Sequence, residues 1–581
     1  MKQILAEAAL PPRLTKRIRR LARRTRLLTR ERARVAEMLS AESAQRLAAG
    51  ESEQAILASL RPVARTARRL RREILRAAPL RRIAWGSLTW IKRSILASLL
   101  ATLLAYPYLF WRFHSPEPTI ARNLAAEYNA TIDAIPPESR AAALYREVAE
   151  ALEPVDEEAA PDFAAAWPSI RPGEALWAEA CAYLDRNQDA VALIRAAAAK
   201  PFAGYRLSTV PPIDSAAIEL DPGDHWNGNP FWLALCIEPL AQYRSFGRIL
   251  AADARCAAER AEPERACEDV LGVLNLARHA EEGRSVIGDL VGIAIRVGAF
   301  ELLTELVTEH PGLLEEAALV RLAVAVGTTI PDDRPKLDLE IERLQQLDYA
   351  QRVFTDDGNG DGRICSAGIH FIRSLAGETE PDLAMFLLGP LRTSRFATRR
   401  EFLDETDLMC AAIERDSAGP MWDWSDTPGA PFVREREVIA DRPALIDLPV
   451  TLAPSLGKAA ATYELAIQER DAALVIVALA RHRRGSGAYP TTLEALVPEY
   501  LPAIPPDRYD GRPIKYRLSS DGAPVLYSIG ADRHDDGGVP QEGDPDGRGA
   551  MEWCPPAKAH LVPPGDWIIL PRPRPAPYID E

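Results

Sequence analysis

Apolar residues fall along this chain in helical periods, interrupted once by an unbroken apolar run. From Leu14 to Arg34 they recur at Leu14, Ile18, Leu21, Leu27 and Leu28 within a dense run of arginines, which predicts a basic amphipathic helix. Ala41 to Leu60, with Gly50 between two short helical patterns, predicts a helix-turn-helix pair, and Thr66 to Leu80 a further arginine-rich helix. Ser94 to Trp111, SILASLLATLLAYPYLFW, carries no charge at all. A bilayer takes roughly 20 apolar residues to cross, and Ala84 to Trp111 supplies them once Lys92 and Arg93 reach to the interface. Trp85 and Trp90 before it, and Tyr106, Tyr108, Trp111 and Phe113 at its end, form the aromatic belt of a membrane span. The rival reading is a buried core helix.

Beyond the span the 3.6-residue period returns. Glu117 to Leu152 and Glu174 to Ala199 are alanine-rich helical patterns broken by prolines. Glu262 to Thr329 reads as antiparallel helices packed as a bundle, with a turn at Glu281 to Arg284 and a stop at Pro311. His279 and His310 lie near helix C-termini, where the dipole favours a cation, so both read as caps rather than ligands. Leu337 to Phe354 and Leu456 to Arg484 predict two more helices, the second ended by Gly485 and Gly487. Lys515 to Leu518 and Val525 to Ile529 are strand-like and flank a hairpin turn at Ser519 to Gly522.

Charge orients the span. Met1 to Arg93 holds 24 Lys+Arg against 7 Asp+Glu, a net of +17; the whole chain is −13, so the rest carries −30. Basic residues beside a span stay cytoplasmic, so the N-terminus is expected inside the inner membrane and the bulk of the chain outside it. The basic arm suits an anionic leaflet, each Lys or Arg near the surface contributing ~1 kcal/mol. Nucleic acid is the disfavoured partner, because no aromatic residue precedes Trp85 and no recognition motif accompanies the arginines; a solvated face that binds nothing is the remaining alternative. The seven cysteines follow the span without a CxxC pair, and read as mostly buried thiols with room for one bridge.

Candidate chemistry is sparse. Thr355 to Ile364, TDDGNGDGRI, sets Asp357, Asn359 and Asp361 at alternating positions before Gly362 and Ile364, the first half of an EF-hand-type calcium loop. Position twelve is Gly368, so no bidentate carboxylate follows unless Glu378 or Glu380 folds back; a hydrogen-bonded Asx-turn loop is the alternative. Asp221, Asp224 and His225 read as a turn pinned by Trp226 and Trp232 rather than as a metal cluster. No HExxH, GxSxG, Walker A or GxGxxG pattern occurs, which argues against catalysis; the enzyme alternative is a hydrolase using carboxylates among Asp221, Asp224, Glu342 and Asp348.

From about Ala459 to Trp567 the chain resembles the globular end of the major pseudopilin of type II secretion systems. The resemblance is carried by the long helix, then Gly487, Tyr489, Pro490, Thr492, Leu493, Leu496 and PEYLPAIPPD, then Asp510, Gly511, Pro513 and Tyr516, LYSIGAD at Leu526 to Asp532, DDGG at Asp535 to Gly538, and Gly565, Asp566 and Trp567. It implies a long helix laid on a small antiparallel sheet, with calcium stiffening the loop after the last paired strand. Asp532 matches the aspartate of the family's segment, and Asp535, Asp536, Asp544 and Asp546 are candidates by local composition, a solvated acidic loop being the alternative. The family's processing site is missing, and about 350 residues separate the span from the matching helix, so assembly by helix packing is not expected. The whole arrangement is also similar to bacterial single-pass membrane proteins of no assigned activity.

These readings make a mainly α protein with one transmembrane helix, an extracytoplasmic helical bundle and a small α+β domain. The expected parts are a basic cytoplasmic arm (1–83), the transmembrane helix (84–113), a helical domain (114–454) with the calcium-like loop at 355–364, and a pseudopilin-like domain (455–581). The expected role is binding or envelope organisation with calcium-stabilised loops and a protein partner in the cell envelope, linked to secretion through the resemblance. Contact with pseudopilins and a carboxylate-dependent hydrolase are the alternatives.

Overall fold

The helical periods become helices almost throughout the computed structural model, which describes residues 2–27, 29–76, 79–155, 161–167, 169–207, 232–330, 337–359, 362–375, 382–393, 396–437, 447–542 and 549–571. Asp221, Asp224, His225, Trp226, Asp361, Glu378, Glu380, Asp544 and Asp546 lie outside the described residues. The chain divides into two compact units, Met1–Tyr108 and Leu109–Glu581.

The first unit contains α1 (Lys2–Glu7), α2 (Pro12–Arg24), α3 (Thr29–Ala48), α4 (Glu53–Ser59) and α5 (Val63–Arg76), before α6 (Pro79–His114) runs on into the second unit. The expected single helix from Leu14 to Arg34 is two helices. Thr25 is buried with its hydroxyl donating to the Ala22 carbonyl at 2.6 Å, and Arg26 takes a left-handed φ of 56°, so the chain turns there. Leu14, Ile18 and Leu21 are completely buried against Val35, Ala36 and Ile56. The apolar stripe of α2 is therefore the inside of a small helical core rather than a face laid on lipid. Arg13, Lys16, Arg20, Arg23, Arg24 and Arg26 stay exposed, so what remains for a partner is charge.

The second unit opens with α7 (Leu124–Asp133), α8 (Ala142–Ala151), α9 (Pro161–Ala166), α10 (Trp177–Arg186) and α11 (Gln188–Ala198). Its body is built from α12 (Trp232–Glu259), α13 (Pro263–Ala280), α14 (Val286–Glu309), α15 (Glu316–Thr329), α16 (Glu340–Val353), α17 (Ser366–Leu375), α18 (Leu383–Arg392), α19 (Arg399–Asp416), α20 (Ala430–Glu437) and α21 (Asp447–Ser486). Helix starts follow capping chemistry: the Ser285 hydroxyl accepts from Gly288 N–H at 3.0 Å, and Thr398 with Glu401 forms a reciprocal capping box on α19.

Three short strands follow, β1 (Lys515–Leu518), β2 (Pro524–Ser528) and β3 (Trp567–Leu570), all antiparallel in the order β1-β2-β3. Lys515 faces Tyr527 and Leu518 faces Pro524, so the hairpin closes through Ser519 to Gly522 as the sequence predicts. Every residue of the central β2 is buried. No break in the core falls near residue 455. Helix α21 packs on α14, α15, α19 and α20, and the same hydrophobic cluster continues through Leu496 and Tyr509 to Leu526, Trp567 and Ile569 of the sheet.

Cys181 of α10 is bonded to Cys256 of α12, while Cys267, Cys365 and Cys410 are buried thiols. Cross-linking residues 75 apart in sequence restricts the unfolded chain, a stabilisation of about 4 kcal/mol in the chain-entropy account. Replacing both cysteines by alanine is expected to lower the urea midpoint correspondingly, and reductant should bring the parent to the same midpoint; identical midpoints with and without reductant would show that the bridge contributes nothing.

Candidate functional site

The exposed apolar stretch of α6 is the most distinctive surface. Arg93–His114 is the one helical stretch, among the described residues, long and apolar enough to cross a membrane, and none of its most apolar window is buried. Leu96, Leu99, Leu103 and Leu104 are each more than 60% exposed, which removes the buried-core reading. Trp90, Tyr108 and Trp111 also stand exposed at its two ends. Phe113 departs from the expected belt: it is buried among Phe354, Ile364, Phe371 and Phe402, and so plugs the end of the helix into the second unit. Beside it, Phe386 of α18 meets Phe110 edge-on at 5.4 Å, and His114 Nε2–H donates to the Phe386 carbonyl at 3.1 Å.

The loop between α16 and α17 is a hairpin closed by a bridge between Phe354 and Ile364. Asp356 and Asp357 each accept the N–H two residues on, from Gly358 and Asn359 at 2.9 Å, which makes two successive Asx turns. The guanidinium of Arg399 bonds Asp356 at 2.5 Å, and that of Arg400 bonds the Asn359 carbonyl. Gly368 stands at the twelfth position for a packing reason, since a Cβ there would lie 2.0 Å from the Val353 carbonyl oxygen. The described part of the loop is held by hydrogen bonds that need no metal.

The acidic loop after β2 differs. Asp532 accepts from His534 N–H at 3.0 Å and from Gly565 N–H at 3.1 Å, while Asp535 accepts from the Tyr527 hydroxyl at 3.1 Å and Gly537 N–H at 3.0 Å. One oxygen of Asp536 faces His534 Nδ1 at 3.2 Å; the other is buried without a hydrogen-bond partner. Asp566 accepts from Gly538 N–H at 2.7 Å, yet burial raises its carboxyl above the usual range and the charges of Asp535 and Asp536 add to the rise. Among the described residues no group of three or more His, Cys, Asp or Glu side chains is gathered to hold a metal.

Asp507, within the PEYLPAIPPD run, is a residue that sequence reasoning passed over. Completely buried, it accepts from Ser528 Oγ, Tyr509 N–H and Ile529 N–H at 2.9 to 3.0 Å, tying the loop before β1 to the end of β2, and burial pushes it up to about 6. An aspartate following two prolines and preceding a Tyr-Asp-Gly turn is the only local sign of that role.

Several buried ionisable groups gather around the turn between α13 and α14. His279 accepts from the Tyr145 hydroxyl at Nδ1, 2.6 Å away, and its Nε2–H donates to the Lys200 carbonyl at 2.9 Å. Burial lowers its pKa to about 4, so His279 is neutral and does not act as the expected cationic cap. Glu282 accepts from Gly204 N–H at 2.9 Å beside a cavity of about 270 Å³ that also meets Phe202 and Arg278. Arg296, 2% exposed, pairs with Glu281 at 2.6 Å. Of the carboxylates expected for a hydrolase, Asp348 pairs with Arg352 at 3.1 Å and Glu342 accepts from Val286 N–H at 2.7 Å. Neither lines that cavity. His279 and Glu342 join helices to one another, while the Asp348–Arg352 pair lies within α16.

Burial pushes Glu342 up from 4.5 to about 7, with Asp289 and Asp338 contributing. A carboxyl with the higher pKa in the folded state binds its proton more tightly there. Its contribution to stability is full below about pH 4.5 and is lost as pH rises through about 7. In Glu342→Gln that slope should flatten, the parent losing about 3 kcal/mol more than the variant across the window; parallel stability profiles would refute the assignment. No protein-family model matches the chain, and neither does any curated protein or solved structure.

Proposed function

We propose that this protein is a membrane-anchored binding or envelope-organising protein whose large acidic unit works outside the inner membrane. The observation that carries the reading is the exposed apolar helix Arg93–His114, whose last turn is pinned into the second unit by Phe113. An anchor joined to its body without a linker holds that body at the membrane surface. The +17 charge of Met1 to Arg93 supports a cytoplasmic N-terminus facing anionic lipid, and the Cys181–Cys256 bridge suits an oxidising compartment. The buried, unpartnered oxygen of Asp536, together with the raised Asp566, supports a calcium ion at the acidic loop, where hard oxygen ligands and relief of carboxylate repulsion favour it. Contact with pseudopilins through the long helix is less well supported, because α21 exposes no large apolar residue among those described.

Protease added to spheroplasts is expected to digest the second unit and leave an N-terminal fragment intact, with the reverse pattern in inverted vesicles. Cleavage of the N-terminal unit in spheroplasts would overturn the topology.

Calcium should raise the melting temperature of the full chain over that in chelator. Asp536→Asn should remove the rise without lowering the chelator value, whereas Asp532→Ala should lower both, since it also loses two N–H acceptor contacts. A parent indifferent to calcium would end the ion proposal.

A further inference from the structure

Helix α18, LAMFLLGPLR, has no polar side chain between its N-cap Asp382 and Arg392. Met385, Gly389 and Pro390 turn towards the body, and the approach is close: a Cβ on Gly389 would lie 2.9 Å from the Phe113 ring. The opposite arc presents Leu383, Leu387 and Leu388, which are 70%, 45% and 44% exposed. A helix apolar on every side belongs in a protein interior or in lipid, and this one has half of its surface outside the protein.

We propose that α18 lies in the bilayer interface, its apolar arc inserted among lipid acyl chains beside the transmembrane helix. The inference rests on the reading of Arg93–His114 as a span. That helix is about 33 Å long at 1.5 Å per residue, against a hydrocarbon layer of about 30 Å, so its last turn sits at the membrane boundary. Phe386 touches Phe110 and His114, the residues of that last turn, which sets α18 at the same depth. Charges stand only at the ends. Asp382 caps the first turn by accepting from Ala384 and Met385 N–H, and Arg392 closes the last, as expected of a helix lying flat with its ends in the headgroup layer. The second unit thus meets the membrane through α18 as well as through the last turn of α6, where Phe113 packs against Gly389.

The test uses the full chain in phosphatidylethanolamine–phosphatidylglycerol vesicles, with ordinary or brominated acyl chains, and tryptophan fluorescence. The parent's exposed Trp90 and Trp111 report the span; Leu388→Trp and, as a second variant, Leu383→Trp report α18. Expected is quenching of the parent by brominated lipid and an added emission from each variant that is blue-shifted and quenched at least as strongly. A quenched parent with unquenched added emission overturns the inference. In that case a red emission open to iodide means that α18 faces water, and a blue emission shielded from both quenchers means that a second copy or another protein covers it. An unquenched parent instead overturns the span itself, and the inference with it.

Discussion

The second unit depends on the burial of most of α21. A helix of 40 residues is surrounded on most of its length, with Ala460, Ala466, Ala472, Val475 and Val477 at or below 1% exposure. Small residues let neighbouring helices approach closely, and burial of apolar area at ~25 cal/mol/Å² is the driving term. Enclosure also traps charge. Glu464 is completely buried and is neutralised by Arg508 at 3.0 Å while accepting from Met421 N–H at 2.9 Å; Arg470 donates to the Ile330 carbonyl at 2.6 Å and pairs with Asp471. Breaking such a pair leaves a buried charge uncompensated, which costs far more than the intact pair contributes. These contacts therefore specify which segments meet the helix.

The pairing of Glu464 with Arg508 has an architectural consequence. It ties the helical body to the segment that leads into the sheet, and Gln468 adds to it by accepting from Arg508 N–H at 2.7 Å. Asp507, the next residue back, carries the connection on to β2. The core side of the three-stranded sheet belongs to the same hydrophobic cluster as α21, and so the body and the tail make one unit where the sequence is naturally read as two domains.

The same principle holds at the end of α6. Phe113 belongs by sequence to the apolar stretch Arg93–His114 and by burial to a hydrophobic core of the second unit. The cluster around it, from α16, α17 and α19, also holds the hairpin whose aspartates look like a calcium loop. There Arg399 bonds Asp356 and Arg400 bonds the Asn359 carbonyl. In the acidic loop after β2, among the described residues, Asp536 faces His534 and Asp535 accepts from the Tyr527 hydroxyl instead.

By itself the sequence determined what depends on local pattern. The helix at Ser94 to Trp111, the turn at Gly50, the antiparallel pair at Glu281 to Arg284, the long helix ending near Gly487 and the hairpin at Ser519 to Gly522 are all legible, because periodicity, glycine and uninterrupted apolar length act over neighbouring residues. Tertiary structure alone decided what each side chain meets. Leu14, Ile18 and Leu21 face a protein core instead of lipid, His279 is neutral instead of cationic, the Glu342 carboxyl is raised to about 7 and Asp507 joins two segments. Each depends on desolvation or on a partner far away in the chain, as Tyr145 is from His279 and Val286 from Glu342. A pattern of residue types carries the free energy of forming a helix, but the state of a buried ionisable group is set by the particular donors that folding brings to it.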